Sequence, residues 1–215
     1  MIWQREFMKR FLRYALLKFV GTTTFISIFF IGYFHVLRHT TYEVTLMPLT
    51  ALDRMIGFHP SALIAYVSLW VYVGIPPALF YSLRELVAYG CWIAGLCIAG
   101  LACFHFWPTA VPAHVIDPAL YPGFGLIQGI DAAGNACPSL HVATAAFSAI
   151  WLDRLLREIG AGPAVRTINW TWFVLIAWST MAIKQHVALD VLAGLLLGTL
   201  FALASLRNRY HTQQG

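Results

Sequence analysis

Six long apolar runs constrain what this chain can fold into. They cover roughly Tyr14–Leu37, Ser61–Leu83, Leu86–Trp107, Leu140–Leu156, Thr167–Ile183 and Val187–Leu206. About 20 apolar residues cross a bilayer as a helix, which satisfies its own backbone hydrogen bonds in hydrocarbon. The fourth and fifth runs are short and need flanking residues to complete a span. The chain is 60% hydrophobic and 11% charged, with a mean hydropathy of +0.71. A water-soluble domain of 215 residues could not hide that much apolar surface. The expected fold class is therefore all-α, a polytopic membrane helix bundle of about six spans, in one domain over residues 1–215. Pro76 and Pro77 are expected to kink the second span.

The distribution of cations sets an orientation. With the N-terminus cytoplasmic, the inner segments hold Arg5, Lys9, Arg10, Arg13, Lys18, Arg84, Arg154, Arg157, Arg166, Arg207 and Arg209. The outer segments hold Arg38, Arg54 and Lys184. Eleven against three is a positive-inside bias, which places both termini in the cytoplasm of a multi-pass inner (plasma) membrane protein. The net charge of +5 then serves topology and anionic lipid, and no nucleic-acid partner is expected. The first apolar run is too long for a cleavable signal and no small-residue cleavage site follows it. Residues 1–13 alternate Trp3, Phe7, Met8, Phe11 and Leu12 with Arg5, Lys9, Arg10 and Arg13. They read either as an interfacial amphipathic helix or as a plain basic flank.

In this orientation residues 38–60 and 108–139 are long outer connections. The second is rich in proline and glycine and nearly uncharged, as expected of a lid or a site. Cys91, Cys97 and Cys103 fall on different faces of the third span without metal-site spacing, and Cys137 has no obvious partner, so no disulfide is expected.

Three stretches at the outer side carry chemistry: Phe106–Pro112, Cys137–His141 and Ser179–Asp190. In the last, His186 and Asp190 are four residues apart and on a helix would share a face. A carboxylate holding one imidazole nitrogen leaves the other free to attack phosphorus. Taken alone the pair reads as readily as an interfacial helix anchor, but ionisable groups crowded at the head of an apolar helix favour function. Lys184 is placed to neutralise phosphate oxygens. In the second stretch, Pro138 suits a first helical turn whose free N–H groups form a phosphate cradle. Ser139 would add a hydroxyl donor there, and His141 would protonate a leaving alkoxide. Pro-Ser-x-His by itself is a weak signal. Two histidines, a carboxylate, a lysine and a helix N-terminus together meet the needs of phosphoryl transfer.

Pro138-Ser139-Leu140-His141 followed by His186-Val187-Ala188-Leu189-Asp190 resembles the second and third signature motifs of the type 2 phosphatidic acid phosphatase superfamily. That superfamily includes lipid phosphate phosphatases and vanadium haloperoxidases. The resemblance spans about residues 50–205. It implies His186 as nucleophile, Asp190 as its orienting partner and His141 as general acid, with no metal and no cofactor. Leu140 and Gln185, inside the matched segments, are carried along as substrate-contacting positions. Two features depart from the common pattern. Thr180 stands where an arginine usually precedes the nucleophile, and the first motif has no match. Pro108-Thr109-Ala110-Val111-Pro112, Pro138–His141 and Lys184-Gln185-His186 are instead similar to the branch of inositol phosphorylceramide synthases. The segment Leu52-Asp53-Arg54, with Pro60 and Tyr66, looks like the region before that branch's second span. In that layout Lys184 and Arg54 stand in for the missing cations, and His114 has no assigned role.

Three functions compete. A phosphatase passes the phosphohistidine to water, and a phosphotransferase passes it to a hydroxyl acceptor; the two share every residue. A transporter or scaffold is the third. Transporters place their ionisable residues near the midplane in broken helices, whereas Lys184, His186 and Asp190 crowd the outer boundary. The expected partner is a lipid phosphate in the membrane, and a homo-oligomer stays open.

Overall fold

A computed structural model describes residues 2–112, 121 and 134–214; His114 and most of the second outer connection lie outside them. The chain is mainly helical. Helix α1 spans Ile2–Leu12 and α2 Ala15–Arg38, joined through Tyr14 in the left-handed region (φ 56°). A short α3 (Ala51–Met55) precedes a 3₁₀ turn at Pro60–Ala62. Then come α4 (Leu63–Val67), α5 (Leu69–Tyr72) and α6 (Ile75–Leu79). The long helices α7 (Leu83–Phe106), α8 (Leu140–Glu158), α9 (Pro163–Ala182) and α10 (Ala188–Gln214) complete the bundle. Among the described residues, four segments are long and apolar enough to cross a membrane: Ala15–Arg38, Pro60–Leu79, Leu83–Phe106 and Ala188–Arg209.

The other two expected spans are helices too, but α8 is different in kind. Fourteen of its 19 residues are buried, so protein surrounds it and it needs no lipid-facing leucines. Its alanines let neighbours approach on every side. The second span stays right-handed helical through Ser68 and Gly74, its turns tightened there by bonds from Val71 N–H to Ser68 O and from Gly74 N–H to Val71 O (3.1 Å each). Pro76 and Pro77 sit in the first turn of α6. A proline has no N–H to give, so it starts the new segment at no cost in hydrogen bonds.

Glycines fix how α8 meets α10. A Cβ on Gly194 would collide with the Ser139 carbonyl oxygen, and one on Gly198 with that of Ala143. Gly194 and Gly198 are four residues apart, the spacing that lets two membrane helices bring their backbones together. Gly100 does the same for α7, since a Cβ there would run into the Leu140 side chain. These contacts hold the N-terminal ends of α8 and α10 side by side, and the candidate site forms there.

The two long connections are tied by a small feature that the all-α expectation lacks. Strand β1 (Thr45–Leu46) pairs in parallel with β2 (Thr109–Ala110), and Thr109 also bridges to Asn135. At the opposite end, Arg209 joins Glu158 (2.6 Å) and Glu85 (2.7 Å), and Arg10 reaches Glu158 (3.5 Å). Asp153 takes Arg166 (2.7 Å) and Arg157 (2.8 Å). Many of the cations that bias topology are therefore also structural. Helix α1 packs Trp3 and Phe7 against the core, while Met8, Phe11 and Leu12 stay exposed. Trp3 and Phe7 thus dock this helix against the bundle.

Candidate active site

The nucleophile candidate sits in a turn. Helix α9 is capped by Ile183, and Lys184 follows in the left-handed region (φ 63°). The N–H of Lys184 donates to Met181 O and that of Gln185 to Thr180 O, both at 3.0 Å. This is the pairing that closes a helix through a left-handed residue, a place where glycine usually sits. His186 N–H also donates to Thr180 O (3.1 Å), which fixes where the imidazole starts. Thr180 is fully buried, with its hydroxyl on Ala177 O (2.8 Å). An arginine at this position would have no route to water.

His186 and Asp190 therefore do not share a helical face, as their spacing alone implied. Helix α10 begins at Ala188, and Asp190 in its first turn reaches back. Its Oδ2 accepts from Val187 N–H (3.0 Å) and stands 3.5 Å from His186 Nδ1. Asp190 is fully buried. His186 Nδ1 and Asp190 Oδ1 have no hydrogen-bond partner among the described residues, and 3.5 Å is the outer limit of such a bond. Catalytic contacts are often long before substrate binds and tighten afterwards. With Nδ1 facing Asp190, Nε2 is the nitrogen left to react. Gln185 lies beside the pair, and its Oε1 is likewise buried without a partner.

His141 lies one residue into α8. Its ring stacks on Tyr66 at a centroid distance of 4.0 Å and an angle of 11°, and its Nε2 is 3.1 Å from Tyr66 O. A carbonyl only accepts, so Nε2 carries a hydrogen, and a second proton would sit on Nδ1. Helix α4 thus delivers Tyr66 to this ring. Thr109 anchors the approach to α8, its Oγ1 accepting from Cys137 N–H (2.8 Å) and its carbonyl from Gly134 and Ala136. Burial, with the Asp190 charge adding to it, pushes the Cys137 thiol up to about 11, so this cysteine stays protonated at neutral pH.

The expected phosphate donors are differently employed. Pro138 precedes the helix cap rather than opening the first turn, and its peptide bond with Cys137 is cis. Ser139 is the cap: it is fully buried, its Oγ accepts from Val142 N–H (3.3 Å), and its N–H donates to Asp190 O (3.0 Å). The Ser139 backbone is held by Asp190 and lies against Gly194, and its hydroxyl caps α8. Leu140 lines the central cavity beside His141. Lys184 Nζ donates to Ile56 O and, at 3.4 Å, to Asp53 O, so its charge rests on the carbonyl end of α3. Arg54 is exposed.

The residue the sequence reading missed is Asp53, the neighbour of Arg54. Thr50 and Asp53 form a capping box on α3, with Thr50 N–H donating to Asp53 Oδ2 (2.8 Å). The other oxygen accepts from Ala188 N–H (2.8 Å), the first helical residue of α10. Two carboxylates, Asp53 and Asp190, thus hold the start of this helix, where the helix dipole favours negative charge. Burial pushes the Asp53 carboxyl upward, but the bonds from Thr50 and Ala188 and the Lys184 charge outweigh it and hold the group below its ordinary range. A Thr-x-x-Asp before an apolar run is a readable sequence signature.

A groove of about 1140 Å³, open along Ile64, Val67 and Val87, reaches both histidines, with Tyr66, Trp70 and Leu140 beside His141. Among the described residues no group of three or more His, Cys, Asp or Glu side chains could hold a metal ion. A family model described as the PAP2 superfamily matches residues 105–213, which is 109 of the 215 residues and includes both histidines and Asp190. Neither the curated proteins nor the solved structures gave a match.

Proposed function

We propose that this chain, which belongs to the PAP2 superfamily and so to a group that includes phosphatases and phosphotransferases, cleaves a lipid phosphate through a phosphohistidine on His186. The observation that carries the reading is the meeting of His186, backed by Asp190, with His141 on one cavity. His186 Nε2 attacks phosphorus as the P–O bond to the lipid breaks. His141 gives its Nδ1 proton to the departing oxygen and becomes neutral, still held through Nε2–H by Tyr66 O. Water then attacks the phosphoryl group, losing a proton to His141, and orthophosphate leaves as the P–N bond breaks. Asp190 orients the His186 ring and offsets the positive charge that develops on it. No metal takes part in this scheme.

In this reading the two histidines lie at the outer face, both termini are cytoplasmic, and α8 and α9 join the four apolar segments to make six crossings. Lys184 would exchange the carbonyls of Asp53 and Ile56 for phosphate oxygens when substrate arrives, with Arg54 and Gln185 at the rim. A hydroxyl acceptor in place of water makes the same site a phosphotransferase, and the likeness of Pro108–Pro112 and Lys184–His186 to the inositol phosphorylceramide synthase branch favours that second reading. The test offers purified protein a panel of lipid phosphates and diphosphates, with and without hydroxyl acceptors, in the presence of EDTA. Vanadate-sensitive phosphate release or transfer is expected. Activity that EDTA removes and a divalent metal restores would refute the scheme.

A further inference from the structure

The groove that reaches the histidines continues far beyond them as an apolar trench, open on one side along Leu17, Ile64 and Val87. Its opposite end is lined by Leu17, Lys18 and Gly21. Between Leu17 and Tyr33, both lining residues, α2 runs for about 24 Å at 1.5 Å per residue. Half of a typical hydrocarbon core is about 15 Å, so the trench passes the midplane. A head group needs no such depth. A chain continuing from a phosphate at His186 would fill it.

Two glycines border this space without another reason to be glycine. Gly100, Gly194 and Gly198 each admit a close neighbour, but a Cβ on Gly21 or on Gly90 would meet nothing within 4 Å. Both line the trench from helix interiors, where glycine is disfavoured against alanine. At the floor stands Lys18, 5% exposed, its ammonium donating to Arg10 O and Ala78 O at 2.7 Å each. A hydrocarbon chain cannot replace those bonds, so it stops there.

Resting on the function proposed above, we infer that this trench holds the hydrocarbon chain of the substrate, and that Gly21 and Gly90, above the Lys18 floor, set the chain length it accepts. Short esters end above Gly21 and long ones pass it. Each methylene kept out of an apolar site costs about fourfold in affinity.

Gly21→Phe and Gly90→Leu fill the lower trench. With octadecyl and octyl phosphates in mixed micelles, each variant should lower the octadecyl-to-octyl ratio of kcat/KM at least tenfold. An unchanged ratio would overturn the inference, and because each protein is its own reference, a loss of total activity does not blur the result. A second measurement needs no turnover. In Gly21→Cys, octadecyl phosphate should protect the introduced thiol from an apolar maleimide, followed by mass spectrometry, and octyl phosphate should not. Protection without any phosphate release would overturn the proposed function and keep the trench; release without protection would do the reverse.

Discussion

Replacing Gly194 by alanine tests whether the α8–α10 contact builds the site. In an ordinary helix this change is favourable by about 0.5–1 kcal/mol. Here the new Cβ meets the Ser139 carbonyl, with Ala143 N another 3.3 Å away. Carbon and carbonyl oxygen approach to roughly 3.3 Å, so the helices must part by about an ångström. Overpacking of this kind costs about 1–3 kcal/mol, which outweighs the propensity gain. The movement falls between Ser139 and Asp190, directly under both histidines, and a displacement of about 1 Å at a reacting centre costs about 10²-fold in rate. Thermal unfolding in detergent, followed by tryptophan fluorescence, should show a lower midpoint. Turnover should fall about 10²-fold on lipid and aryl phosphates alike. Gly32→Ala is the control, since its Cβ would meet Leu101 Cδ1 at an ordinary 3.7 Å. Gly194→Ala behaving like Gly32→Ala in both assays would refute the reasoning.

His141→Ala should lose about 10²–10⁴-fold on an alkyl phosphate and recover most of its rate on an activated aryl phosphate, whose leaving group needs no proton; equal losses would assign His141 to binding. Asp53→Asn should cost about 1 kcal/mol, the usual worth of a cap. Because the folded-state carboxyl is held below its ordinary value of 3.8, its stabilisation is present above that value and is lost as pH falls from there through the lower folded-state value. Thermal midpoints measured from pH 7 downward should thus fall more steeply at the acid end for the parent chain than for Asp53→Asn, and parallel curves would count against the assignment. In intact cells, Glu43→Cys should react with an impermeant maleimide and Ala164→Cys should not; the reverse pattern would place the histidines on the cytoplasmic side.

The membrane class and the helix positions were legible because long apolar runs are a strong one-dimensional signal. Motif spacing singled out the two histidines and Asp190 as candidates, but it did not give the way the structure arranges them. Four-residue spacing implied one helical face, whereas Lys184, a non-glycine residue in the left-handed region, ends α9 and leaves His186 in a turn. Lys184 gave no local cue for that conformation. Asp53 and the Gly194–Gly198 pair were different: a Thr-x-x-Asp box and a small-xxx-small spacing both stood in the sequence and were passed over for the charged neighbour Arg54 and for the general apolarity of the last span. The two-residue pairing of β1 with β2 depends on contacts 64 positions apart (Thr45 with Thr109) and has no local signature.

The central claim is that phosphorus passes through His186. The direct test is rapid acid-free quenching of the purified protein with a ³²P-labelled lipid phosphate, followed by peptide mapping. The account predicts a label that is stable to alkali, labile to acid, mapped to His186 and missing from His186→Ala. A labelled phosphoenzyme that survives in His186→Ala, or a label mapped to any other side chain in the parent protein, would contradict it.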